Sequence, residues 1–154
     1  MKKFLMIFLT AAAMVAFSSE SHAQFSKLSF DGYGVKSISP ESFTSVNGAV
    51  WINVTNPMEG FTVSEIRGMV YKHGSPFITG WANDFHVING TRKIVISGNA
   101  SLCPGVSLWS VLALLFFDPD DYSVDMSMRI TLDSGATRTV EKKNMPVRAL
   151  LKLI

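Results

Sequence analysis

Residues 49–74 read AVWINVTNPMEGFTVSEIRGMVYKHG, and their periodicity decides the fold class. Val50, Ile52 and Val54 alternate with Trp51, Asn53 and Thr55, the period of a half-buried strand. Asn56-Pro57 ends that run, because an Asn side chain bonds local backbone and Pro cannot continue a ladder. After Gly60 a second run, Phe61 to Lys72, loses its alternation between Val63 and Ile66. A one-residue slip turns every later side chain to the wrong face, so a β-bulge is expected there. His73-Gly74-Ser75-Pro76 then reads as a turn.

Working outward, Phe30 to Ile38 is expected as an edge strand weakened by Gly32 and Gly34, followed by a Pro40 turn. Phe77 to Trp81 and Arg92 to Ser97 follow as short strands, with Asn89-Gly90 between them. Tyr122 to Leu132 alternates without error, and Asp133-Ser134-Gly135 turns it into Ala136 to Lys142. Gly105 to Phe117 (GVSLWSVLALLFF) breaks the pattern, being apolar on nearly every side. A short buried helix capped by Ser107, with Leu108, Trp109, Leu112 and Leu115 on one stripe, is expected there. A buried strand is the alternative, since periodicity cannot separate the two in a continuous apolar run. The tail from Pro146 ends in Leu150, Leu151 and Leu153, apolar enough to dock on the body. The sum is an all-β chain: a seven-stranded antiparallel β-sandwich with Greek-key-like connections and one short helix.

Composition places this domain outside the cytosol. Lys2 and Lys3, the apolar run Phe4 to Phe17 and Ser21-His22-Ala23 form a cleavable signal peptide over residues 1–23, cut before Gln24. That apolar run is short of the roughly 20 residues a spanning helix needs. Residues 24–154 are then expected as a single domain with no transmembrane segment, periplasmic or secreted, and a monomer. The mature charge is near neutral with no block of like charges, which gives nucleic acid no electrostatic foothold. The lone Cys103 allows no internal disulfide.

Residues able to carry chemistry are few. Cys103 with His73 or His86 lacks the spacing of a nucleophile with an oriented base. Asp84-Phe85-His86 is short of a zinc ligand set, and Asp118, Asp120 and Asp121 lack the glycine and terminal glutamate of a calcium loop. Asn53, Asn89 and Asn99 match a glycosylation sequon that a bacterial-looking leader makes uninformative. No enzyme activity and no cofactor is implied. Binding candidates are the aromatics Trp51, Trp81 and Trp109 and the Asn56-Pro57 turn.

The segment Asn53-Val54-Thr55-Asn56-Pro57, followed by Arg67-Gly68-Met69-Val70-Tyr71 and Lys72-His73-Gly74, resembles the late embryogenesis abundant group 2 family, the water-stress and hypersensitive-response (WHy) domain. The β-run at Arg92 to Ser97, the apolar segment near Leu108 to Phe116 and the strand at Tyr122 to Leu132 extend the resemblance over Val35 to Leu153. It implies a fibronectin type III-like sandwich without catalytic residues. Stress protection, or contact with an apolar ligand or an envelope protein, is the implied role. The alternative is a structural or adhesive envelope subunit that assembles through strand edges.

Overall fold

The computed structural model describes residues 28–112 and 116–151, so the signal segment, its cleavage point and the final residues of the tail lie outside the described residues. Eight strands form one antiparallel sheet: β1 (Ser29–Pro40), β2 (Ser45–Asn56), β3 (Phe61–Lys72), β4 (Ser75–Ala82), β5 (Phe85–Val87), β6 (Gly90–Leu102), β7 (Tyr122–Leu132) and β8 (Thr137–Pro146). Hydrogen bonding runs in the order β1-β2-β6-β4-β3-β7-β8, with β5 on β3. Seven strands fall where the sequence places them; β5 is the addition. Three residues between two polar turns are too few to show a period.

Alternation becomes burial as expected. In β2, Val50, Ile52 and Val54 are buried while Trp51, Asn53 and Thr55 are half-exposed, and β2 pairs with β6 in unbroken register from Ser45↔Ser101 to Asn56↔Gly90. The slip in β3 is a bulge: Glu65 takes φ 53° and the register with β7 shifts between Ser64 and Arg67. The extra residue lets Val63 and Ile66 both point inward. Without it one of the two would face water, forfeiting about 1.5–3 kcal/mol of side-chain burial. His73 and Gly74 both have positive φ, which matches the right-handed twist of a two-residue hairpin joining β3 to β4.

One apolar cluster serves the whole sheet, drawing Ile52 and Val54 from β2, Ile94 and Ile96 from β6, Phe61 and Val63 from β3, and Val124 and Met128 from β7. The β4–β6 ladder covers only Ile78–Ala82 against Gly98–Leu102. Beyond Ala82 the sheet divides: β6 continues on β2, and β5 continues on β3.

The short helix stands where expected, as α1 (Leu108–Leu112), with the Ser110 N–H donating to Ser107 Oγ at 3.2 Å. Its expected burial is corrected. Trp109 is 80% exposed and Leu112 is also exposed. Val106 and Phe117 on either side of it pack against the core, and Leu115, the last residue of the expected stripe, lies outside the described residues. A second helical turn, α2 (Val147–Leu151), follows β8 with Val147 fully buried, while the side chains of Leu150 and Leu151, and Leu153, on which docking of the tail is expected, lie outside what is described.

Antiparallel pairing sorts the connections into two ends. Residues 57–60, 88–89 and 133–136 lie at one; residues 41–44, 73–74 and 103–121, with α2, lie at the other.

Candidate functional site

At the first end, Asn56 is completely buried. Its Nδ2 donates to the carbonyls of Glu59 (3.1 Å) and Ile88 (3.4 Å), and its Oδ1 accepts from Met58 N–H at 3.0 Å. Asn89 Nδ2 donates to Met58 O at 2.7 Å. Glu59 accepts from both the N–H and the hydroxyl of Ser134, while Asp133 N–H donates to Gly60 O. His86 Nε2 lies 2.9 Å from Asp133 Oδ1. Three loops far apart in sequence are thereby stitched together. The Asn56 carboxamide is consumed by this stitching and offers nothing to a ligand; Pro57 beside it is exposed.

Trp51 and Trp81 stand on the sheet rather than at that end. Trp51 lies against Gly34 of β1, where an added Cβ would come within 2.6 Å of the indole Nε1. The Lys93 ammonium sits 4.5 Å from its ring centroid, so the indole is already in contact with Gly34 and Lys93 within the chain. Trp81 is half-exposed on β4, opposite Asn99 of β6 and Arg67 of β3. Asn99 itself is buried, its Nδ2 lying 2.8–2.9 Å from Glu41 Oε2, Ser45 Oγ and Asn47 Oδ1.

The second end differs in chemistry. Trp109, Leu112 and Phe116 are exposed, Phe116 at 88%, and the β1–β2 turn adds a fully exposed Phe43. Beneath them Phe117 stacks on Tyr122 at 5.1 Å, and Tyr122 on Phe77 at 5.8 Å. Charges at the rim are paired among themselves. Arg148 binds Asp120 and Asp118, which holds its guanidinium protonated more firmly than usual, and His73 lies 3.7 Å from Asp121. Cys103 is buried below this end with its thiol 3.5 Å from Met69 Sδ. Burial pushes that thiol up from its ordinary value, which disfavours the nucleophilic thiolate.

The sequence candidates therefore separate. Asn56 and Pro57 lie at one end, Trp109 at the other, and Trp51 and Trp81 on the sheet between them. His73 and His86 lie beside Asp121 and Asp133 respectively. Among the described residues no three His, Cys, Asp or Glu side chains converge on a metal position. Phe43 was legible only as a lone aromatic in an otherwise polar turn, Glu41-Ser42-Phe43-Thr44.

Neither a family model nor a curated protein matches the chain. Among solved structures it is similar to a protein from Archaeoglobus fulgidus, at 13% identity and a TM-score of 0.47, over 75% of this chain and 97% of that one.

Proposed function

We propose that this chain is a non-enzymatic, exported domain of the late embryogenesis abundant group 2 type, whose Trp109 end docks on an apolar partner in the cell envelope. The observation that carries this reading is the exposed group Trp109, Leu112 and Phe116, with Phe43 at the same end. Exposed aromatics beside charged side chains that contact one another within the chain are the composition of a contact surface. The division of the sheet below Ala82, with one core shared by both halves, supports two packed layers of the fibronectin type III kind. The edge-assembly alternative is less well supported. Both outer strands are bulged, β1 between Phe30 and Tyr33 and again between Val35 and Ser37, β8 opposite Val124 and Met126, and each ends in proline. These features blunt strand addition.

The double variant Trp109→Ser/Phe116→Ser tests the proposal. Pull-down from detergent-solubilised envelope and flotation with neutral phospholipid vesicles are measured for it and for the parent chain. Loss of at least about tenfold in retention is expected. Equal retention of parent and variant in both assays would remove the proposal.

A further inference from the structure

The outer edges of the sheet are blunted, but its division below Ala82 opens an inner edge that is not. The cause lies in the β3 bulge. It keeps Val63 and Ile66 both inward, and the neighbouring strands follow it: Ala82 pairs with Ile66 and Phe85 with Val63, and both are buried although an odd number of residues apart. β6 makes no such slip and buries every second residue from Ile94 to Ala100. The β4–β6 register, carried past Ala82↔Gly98, would set buried Phe85 opposite exposed Val95 and buried Val87 opposite exposed Lys93. Residues opposite each other in a ladder share a face, so this ladder cannot continue. The Asn83 N–H still reaches Ser97 O at 2.8 Å. From there β5 and β6 part around a cleft of about 330 Å³, lined by Asp84, Phe85 and Ile88 on one side and by Arg92, Lys93 and Ile94 on the other.

Backbone geometry narrows what the cleft can take. In an antiparallel strand, alternate residues turn their N–H and C=O groups to opposite neighbours. Ser97 O bonds Asn83 on the β4 side, so Val95, Lys93 and Thr91 aim their backbone groups to that side too, where no ladder covers them among the described residues. The 2.9 Å approach of the Thr91 and Thr55 hydroxyls agrees, since side chains come closest where two paired residues exchange no backbone bonds. Donors and acceptors repeating along an edge are matched by another extended backbone. An incoming residue opposite Ile94 would enter the cleft beside Phe85 and Ile88, so an apolar side chain belongs there. The next two would oppose Lys93 and Arg92, which make no ion pair among the described residues. Asp84, the acid among the lining residues, follows Asn83 at the closed end, level with Ile96 and away from both cations. Acidic side chains are therefore favoured at those two positions. A second copy paired about the centre of the same edge would set Lys93 against Lys93, which disfavours self-association there.

We propose that the β6 edge from Thr91 to Val95 takes up an extended acidic segment of a partner protein as an added antiparallel strand. The probe is the acetylated, amidated pentapeptide Val-Ile-Glu-Glu-Thr, whose residues oppose Val95 through Thr91 in turn. Titration calorimetry on the purified chain should show saturable binding below about 1 mM, and hydrogen exchange should slow at the Lys93 and Val95 amides. The peptide Val-Ile-Lys-Lys-Thr should bind at least about tenfold more weakly, and Lys93→Glu should narrow or reverse that preference. N-methylation of the peptide's Val and first Glu, whose N–H groups would face β6, should weaken binding at least about tenfold. N-methylation of its Ile and second Glu, whose N–H groups would face away, should be tolerated. No saturation by about 1 mM, equal effects of the two methylation patterns, or indifference to the Glu-to-Lys change overturns the inference and leaves the proposal for the apolar end standing. Loss of peptide binding in Trp109→Ser/Phe116→Ser would place the peptide at the apolar end and overturn it as well.

Discussion

Asn56 and Trp109 mark the two ends of the sheet. Around Asn56, a carboxamide with no exposed surface ties three loops together, and the neighbouring Glu59, Asp133 and Ser134 find partners within the chain. Around Trp109, Val106 and Phe117 pack against the core while Trp109, Leu112 and Phe116 face water. Hydrogen bonds are spent inward at one end, and apolar surface is left over at the other. Sequence conspicuousness is therefore a poor guide to accessibility: Asn56-Pro57 stands out in the chain, yet it holds the scaffold, whereas the uniform apolar run supplies the exposed surface.

Substitutions should move stability in that order. Asn56→Ala leaves the Met58 N–H and the Glu59 and Ile88 carbonyls unpartnered, and a loss of about 3 kcal/mol is expected in urea unfolding. A loss below about 1 kcal/mol would mean the three loops are held by something else. Gly60→Ala should cost about 2 kcal/mol, because its Cβ would press on the Asp133 carboxylate and come within 3.1 Å of the Val87 carbonyl. Its unfolding midpoint should fall while the midpoint of an apolar-end variant stays near the parent.

Alkali should act beneath the other end. Burial raises both Cys103 and Tyr122 above their ordinary values of 9.0 and 10.0, with Asp121 adding to the tyrosine. The native state then keeps protons that the unfolded chain releases. Their contribution is fully present below the ordinary values and is lost as pH rises through the folded ones, by at most about 1.4 kcal/mol per pH unit for each group. Unfolding curves taken across that window should show the fall, and Cys103 should react slowly with iodoacetamide in neutral buffer. Fast alkylation of the folded chain would contradict the burial of this thiol. Trp109→Ser/Phe116→Ser should have the smallest effect, within about 0.5 kcal/mol, since little burial is lost. A large loss would show that the apolar end is structural.

Most of the fold was legible because strand burial has a period of two. The errorless alternation of Tyr122 to Leu132 and the single slip between Val63 and Ile66 carried enough information to place a strand and a bulge. Burial of Gly105 to Phe117 was not legible, since a segment apolar on all sides carries no mark of which side meets the core. Ser107 still disclosed the helix through its cap. The His86–Asp133 pair depends on strand order, and no local pattern encodes that.

The strand order also sets a clock. Ser45 must find Ser101, and Phe61 must find Leu132, before the central ladders can close. Pairings at such separations put folding in the range of milliseconds to seconds, far slower than hairpin formation. The proposed export would draw on that interval to keep the polypeptide threadable, since the β2–β6 and β3–β7 ladders cannot form until residues synthesised much later have emerged.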